Sequence, residues 1–442
     1  MNNMTTGSIA NHMLRFTLPL ILGNIFHQLY NAVDAVIVGR LIGKPALAAV
    51  GSAGAIMNVL LFLIAGMSLG ASILIAQFYG AQDYDNLKKE MGTAVKAGAV
   101  FTAFITVAAL LLADTFLKLI NTPAAIMPEA GCYLKIISAG LGFTFFYNIF
   151  SASLRALGNA KAPIVFLFIC SVINAGLDIV FIKYCHLGVA GAAWATVVAQ
   201  ALAALMCFIY IAKKSPLIYL RKKDVRIEYS LLKKTMQYSG IYAFQQSFLY
   251  IGVLLVQGAV NTQGINYMAA YNAVTKVDGF ALMPGDSLAD SLSTFVAQNR
   301  GANQRKRILS GLKHAIFIGL LYCSFLALLL PQISGHLMGM FLDPSEQEAI
   351  AIGVSYLRIM SILYIITAVC NTFQGFYRGL GLMRITLNAT VIQIPIRVIL
   401  SYSLINSFQL NAVPLATGIG WSLMIIYELF EFTRYLKTSK SK

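Results

Sequence analysis

The sequence predicts an all-α polytopic membrane protein, with twelve transmembrane helices in two parallel, pseudo-symmetric six-helix lobes. Three observations predict it. Hydrophobic residues make up 58% of the 442 and charged ones only 11%, with a mean hydropathy of +0.73; a soluble domain carries roughly 25% charged residues. The apolar residues gather into twelve stretches, each long enough for the roughly 20 residues that a bilayer core demands. Short motifs also recur half a chain apart. The runs are too long for an outer-membrane barrel and lack its alternation. The same composition argues against a soluble enzyme, a disordered chain, a coiled coil and a disulfide-stapled secreted fold.

The elements follow in order. Met1–Asn11 carries no positive charge and no cleavage site follows it, so it does not read as a cleavable signal. The first segment, about 14–38, places His27, Tyr30, Asn31 and Asp34 at i, i+3, i+4 and i+7, with Asn24 continuing the stripe. The second, about 46–78, contains Gly66-Met67-Ser68-Leu69-Gly70. Its letters match a hydrolase nucleophile elbow, but no strand-to-helix turn surrounds them. As G-xxx-G they signal close helix packing. The third segment spans about 92–119 and the fourth about 132–157. The fifth, about 162–184, sets Ser171, Asn174 and Asp178 on one face, and the sixth, about 188–212, carries Thr196. The seventh, about 232–262, offers Gln245 and Gln246. The eighth, about 267–298, carries Lys276, Asp278, Asp286 and Asp290 around Pro284, which should kink it. The ninth to twelfth cover about 313–340, 351–380, 386–408 and 412–436, with Arg397 in the eleventh.

The repetition is internal. Ala76-Gln77-Phe78-Tyr79-Gly80-Ala81 recurs 221 residues later as Ala297-Gln298-Asn299-Arg300-Gly301-Ala302. Asn148, Phe150, Arg155, Leu157-Gly158 and Lys161 recur 223 residues later as Asn371, Phe373, Arg378, Leu380-Gly381 and Arg384. Parallel repeats of this kind are a transporter architecture with the substrate path near the repeat interface. The organisation is an N-terminal lobe at 1–212, a basic linker at 213–234 and a C-terminal lobe at 235–442.

The 33 basic and 17 acidic residues leave +16. The excess falls in alternate loops, with eight basic residues within Lys213–Lys234. Read by the positive-inside rule, both termini face the cytoplasm of an inner membrane. The longest loop holds only about twenty residues, too few for a soluble nucleic-acid-binding domain. Six scattered cysteines form no CxxC pair and read as small packing residues. There is no HExxH, P-loop or metal-spaced Cys/His cluster.

A charge at bilayer depth costs at least about 2.5–3.5 kcal/mol and so lines a cavity or has a partner. At about 1.5 Å per residue, Asp34 and Asp178 lie some 6 and 9 Å below the outer helix ends. Thr196 lies at similar depth. Two carboxylates, a carboxamide and a hydroxyl can therefore converge there. Two such carboxylates cannot both stay charged cheaply in a low dielectric. Together they can carry a proton, or bind a hard cation such as Na⁺ through oxygen ligands. The same residues also suit a structural hydrogen-bond network closing the first helix onto the fifth. In the C-terminal lobe, Asp286 and Arg397 lie at equal depth and could pair, with Asp290 one turn away. They could also form a second substrate-facing site.

At this point the sequence resembles the multidrug and toxic compound extrusion (MATE) family. The resemblance rests on Pro19 through Gly23-Asn24, Gln28-Leu-Tyr30-Asn31-Ala-Val-Asp34, Val38-Gly39-Arg40 and Ala46-Leu-Ala-Ala-Val-Gly51. Arg155-Ala-Leu-Gly158-Asn159, Asn174-Ala-Gly-Leu-Asp178, Gly188-Val-Ala-Gly191 and the Ala-Gln-xx-Gly-Ala repeats extend it along the chain. It implies a V-shaped cavity open alternately to each side. It implies an N-lobe cation site at Asp34, Asn174, Asp178 and Thr196, with Tyr30 and Asn148 nearby. His27, Tyr30, Asn31, Asn148, Gln245 and Gln246 would line the substrate cavity. Some members carry a C-lobe ion site on acids of the seventh and tenth helices. Here the seventh offers the two glutamines and the tenth has no acid, so coupling should run through the N-lobe. The resemblance implies a monomeric efflux antiporter with no cofactor, exporting organic cations in exchange for H⁺ or Na⁺. A lipid-linked sugar flippase of the same superfamily is the alternative, and an intramembrane enzyme lacks a nucleophile–base pair.

Overall fold

The computed structural model describes residues 3–438. Its helices are α1 (Ile9–Leu41), α2 (Lys44–Gly80), α3 (Tyr84–Leu119), α4 (Met127–Ala139), α5 (Leu141–Ala156), α6 (Lys161–Ile179), α7 (Gly188–Lys214), α8 (Tyr229–Asn261), α9 (Ile265–Gly301), α10 (Arg305–Gly339), α11 (Gln347–Gly379), α12 (Met383–Phe408) and α13 (Ala412–Thr438). No strand occurs among the described residues. Each of the twelve anticipated segments falls on one rod, with α4 and α5 forming a single rod bent by 47°. The helices outrun the apolar stretches, because a helix satisfies its own backbone and continues past the bilayer core. Local signals stop them. Asp83 caps α3, its carboxylate accepting from the Asn86 amide at 3.1 Å.

Eight helical stretches among the described residues are apolar and long enough to cross a membrane, and the bent pair makes nine. Helices α1 and α9 are not among them. Their windows hold the polar stripe from Asn24 to Asp34 and the charges from Lys276 to Asp290. The stretch Met383–Thr438 counts as one there. It reverses at Gln409, whose φ of 52° ends α12 and lets α13 pack back along it.

Large apolar side chains face outward in helical register. Val100, Phe104, Val107 and Leu111 of α3 are each more than half exposed, as are Phe317, Leu321, Phe325 and Leu328 of α10. Two such stripes would be aggregation sites in water and are the ordinary surface of a helix in lipid.

The chain divides into two compact units. The first is formed mainly by Leu18–Ala243, with Gly301–Asn303. Within it α2 packs on α3, α4 and α5, and α7 packs on α4, α5 and α6. Phe145 of α5 is fully buried, in space that a Cβ at Gly98 would occupy. Gly66 and Gly70 let α2 approach α8, where a Cβ would meet the Ser239 carbonyl (2.8 Å) or the Thr235 carbonyl (2.8 Å). The second unit comprises Thr5–Thr17, Phe244–Arg300 and the chain from Gln304 onward. Its core gathers Tyr271, Tyr356 and Tyr364, with Phe295, Phe376 and Tyr377 also fully buried. Helices α1 and α8 thus each contribute to both units.

The internal repeat is conformational as well as literal. Gln82 and Asn303 end the first motif with φ of 57° and 55°. Gly158 and Gly381 end the second with φ of 79° and 66°, a left-handed geometry that glycine adopts without strain.

Candidate cation site

Helix α1 lies along α6. A Cβ at Gly23 would stand 2.9 Å from Ile164 Cγ1, and the rings of Phe26 and Phe168 are 4.8 Å apart. Toward their C-terminal ends the same pair of helices brings the carboxyls of Asp34 and Asp178 within hydrogen-bonding reach. Three contacts along one seam therefore fix the register of the two helices. Asp178 is fully buried and Asn174 nearly so.

The surrounding groups order this pair. The Asn174 amide nitrogen donates to Asp178 Oδ2 at 3.2 Å, and its oxygen accepts from the Thr196 backbone N–H at 3.2 Å. The Tyr30 hydroxyl donates to Thr196 Oγ1 at 3.3 Å. Helices α1, α6 and α7 thus converge as anticipated for Tyr30, Asp34, Asn174, Asp178 and Thr196. Buried oxygens remain over: Asp34 Oδ1 and Asp178 Oδ1 have no hydrogen-bond partner among the described residues. A carboxylate oxygen only accepts, so two neighbouring buried carboxyls call for a proton or a cation. The free carboxyl oxygens are hard ligands, while Asn174 turns its N–H rather than its oxygen to Asp178. No group of three His, Cys, Asp or Glu side chains that could hold a metal occurs among the described residues.

Sequence reasoning missed Tyr133. It stands on α4, electrostatically close to Asp34, Tyr30 and Asp178. The bend between α4 and α5 brings it there: Gly140 at the break packs on Val197, where a Cβ would meet Val197 Cγ2 at 2.5 Å. Val197 adjoins Thr196. The Gly140 between two apolar runs was the one available signal. The remaining anticipated residues lie outside this cluster. His27 and Asn31 are exposed on α1, the His27 and Tyr30 rings being 6.3 Å apart. Asn148 donates to its own helix, to the Thr144 carbonyl at 2.8 Å.

The second unit corrects two expectations. Asp286 does not pair with Arg397. It accepts from Asn371 Nδ2 at 2.9 Å, and Asp290 pairs with Arg378 at 3.1 Å. Arg397 instead acts electrostatically on Asp278, which accepts from the Tyr356 hydroxyl at 3.2 Å and from the Tyr364 hydroxyl. Equal depth gives two side chains a common height but not a common azimuth, and α11 supplies the partners of all three aspartates. Lys276 is exposed. Gln245, expected to line the substrate cavity, is buried and hydrogen-bonded to Gln374, Thr386 and Thr390. Gln246 beside it is half-buried. At the 223-residue displacement of the repeat, Asn174 and Asp178 map to Arg397 and Ser401. The second unit thus carries a guanidinium where the first carries a carboxamide.

Comparison with known proteins gives a consistent picture. A family model described as MatE matches residues 19–180 and 242–403. The probable multidrug resistance protein YoeA of Bacillus subtilis (strain 168) is 27% identical over 440 residues, spanning 96% of this chain and 94% of its own. YpnP of the same organism, also a probable multidrug resistance protein, is 26% identical, with 86% and 85% covered. The multidrug export protein MepA of Staphylococcus aureus (strain MRSA252) is 23% identical, with 94% and 90% covered. Among solved structures, a MOP superfamily transporter from Pyrococcus furiosus superposes with a TM-score of 0.90 at 20% identity, covering 98% of this chain and 97% of its own.

Proposed function

From the premise that the chain belongs to the MatE family of membrane transporters, we propose that it is an efflux antiporter exporting organic cations in exchange for H⁺ or Na⁺. The observation that carries this reading is the pair of unpartnered carboxyl oxygens of Asp34 and Asp178. Two unit charges about 4 Å apart interact by ~4 kcal/mol at an effective dielectric of about 20. Cancelling that repulsion is worth roughly a thousandfold in occupancy. The inward-moving ion supplies the cancellation from outside and displaces an organic cation drawn to the same negative charge.

The residues divide the task. Asn174 holds Asp178 on Oδ2 and leaves Oδ1 for the ion. Tyr30 and Thr196 tie α1 to α7 beside it, so occupancy of the carboxyl pair bears on the packing of three helices. Coupling follows from differential occupancy of two arrangements of those helices. In this reading the carboxyl pair lies in the outer half of an inner membrane, both termini are cytoplasmic and the protein acts as a monomer.

The test is uptake of a fluorescent cation into proteoliposomes under separately imposed pH and Na⁺ gradients. Asp178→Asn should abolish gradient-driven movement under whichever gradient drives the wild type. Unchanged transport by Asp178→Asn would refute the reading.

A further inference from the structure

The second unit contains a buried acid that the N-terminal site does not use. Glu428 of α13 is fully buried. Its Oε1 accepts from Gln374 Nε2 of α11 at 2.7 Å, and its Oε2 has no partner among the described residues.

Behind Gln374 stands a chain of donors with one direction. The Thr386 hydroxyl, whose single hydrogen goes to the Met383 carbonyl at 2.8 Å, lies 3.4 Å from Gln245 Oε1. Gln245 Nε2 donates to Gln374 Oε1 at 3.1 Å, to Thr390 Oγ1 at 2.7 Å and to the Thr386 carbonyl at 3.3 Å. That carbonyl only accepts, so the atom facing it is the Gln245 nitrogen. Gln374 must then turn its oxygen to Gln245 and its nitrogen to Glu428. From Gln245 through Gln374 the hydrogens point toward the carboxyl, which ends the chain.

The groups facing Glu428 supply no cation. From α11 these are Gln374, Cys370 and Tyr377, whose hydroxyl donates to the Glu428 backbone carbonyl at 2.6 Å. On α13 itself Tyr427 and Glu431 adjoin it. Thr386 and Thr390 of α12 bond Gln245 and their own helix. Arg378 of α11 is engaged by Asp290 at 3.1 Å. A charged carboxylate here would be buried with one hydrogen bond and no counter-ion, an arrangement costing several kcal/mol. A metal ion fits poorly, since Gln374 presents N–H rather than oxygen to the acid.

We propose that Glu428 is a proton-binding site of the C-terminal unit, loaded and unloaded during the transport cycle, with Gln374 as its positioning residue. The inference rests on the reading that this chain is an ion-coupled antiporter. In the closed arrangement the proton sits on Oε2, and when water reaches the carboxyl it leaves to give the carboxylate. Gln245 stands two residues past Ala243, where α8 passes from the first unit to the second. Displacement of α8 there strains the bonds of Gln245 to α11 and α12, and so reaches Gln374.

The test uses the full-length protein in proteoliposomes. Dicyclohexylcarbodiimide, which forms a stable N-acylurea with protonated carboxyls in apolar surroundings, should label the peptide containing Glu428, as located by mass spectrometry. Glu428→Gln should lower pH-gradient-driven transport at least tenfold and flatten its pH profile, while binding of the fluorescent cation stays within twofold. Gln374→Leu should shift the profile without abolishing transport. A Glu428 peptide left unlabelled while the Asp178 peptide is labelled would overturn the proposal. So would a wild-type rate and pH profile in Glu428→Gln, or protection of Glu428 by Na⁺. If Asp178→Asn transports normally and Glu428→Gln does not, the N-terminal coupling reading fails and this one stands.

Discussion

Alanine placed at two glycines of α2 should move stability in opposite directions. Gly54 has nothing within 4 Å of an added Cβ. Alanine there gains helix propensity of up to about 1 kcal/mol. At Gly70 the same Cβ would lie 2.8 Å from the Thr235 carbonyl and 2.9 Å from the Ser239 nitrogen. Both are backbone atoms of α8 and cannot rotate away, so the helices must part by about 0.5 Å to restore ordinary contact. Overpacking of this kind costs about 1–3 kcal/mol. Separation also loosens the Gly66 contact one turn away, which meets the same Ser239. The net expectation is a loss of ~1–2 kcal/mol for Gly70→Ala against a gain of up to ~1 kcal/mol for Gly54→Ala. The assay is thermal unfolding of the detergent-solubilised protein, followed by a thiol-reactive dye that reads the buried Cys170, Cys207, Cys323 and Cys370. A Gly70→Ala protein melting at or above Gly54→Ala would refute the close approach of α2 and α8.

Other outcomes follow from single contacts. Tyr30→Phe removes one neutral hydrogen bond to Thr196 and should cost about 1 kcal/mol, roughly fivefold in the half-saturating ion concentration of transport. Thr196→Val added to it should cost little more, as a double-mutant cycle would show. Lys135→Ala breaks the Asp114 pair, whose side chains are 44% and 59% exposed, and should change the melting free energy by less than about 0.5 kcal/mol. Arg378→Gln should cost more, about 1 kcal/mol, since its guanidinium side is only 13% exposed. Restoring neutrality with Asp290→Asn should recover part of it.

Most of the architecture was legible because a bilayer imposes length and composition on every span. The break at Gly140 was not, since both flanking runs are apolar and either could continue one straight helix. Asp34, Asn174 and Asp178 were legible because helical spacing aligned polar residues that lipid does not tolerate singly. Tyr133 was not, because an aromatic in an apolar run announces nothing. Glu428 falls within the twelfth span but was not singled out, because Glu431 and Arg434 three and six residues on set it among other charges near the end of that span. The Asp286–Arg397 pairing failed because rise per residue predicts height, while partners are chosen by which helix stands between.

The assignment of Thr5–Thr17 to the second unit has a consequence for synthesis. Arg307 donates to the Gly7 carbonyl at 2.8 Å, a contact spanning 300 residues, and Ser291 reaches the Met13 carbonyl at 3.4 Å. Residues 5–17 therefore wait for partners made about 300 residues later. At roughly 5–20 residues per second the delay is about 15–60 s. Throughout that interval this stretch of α1 has no native docking surface. Translation products truncated before Ser291 should accordingly be recognised by membrane quality control through this segment, however complete their first six spans.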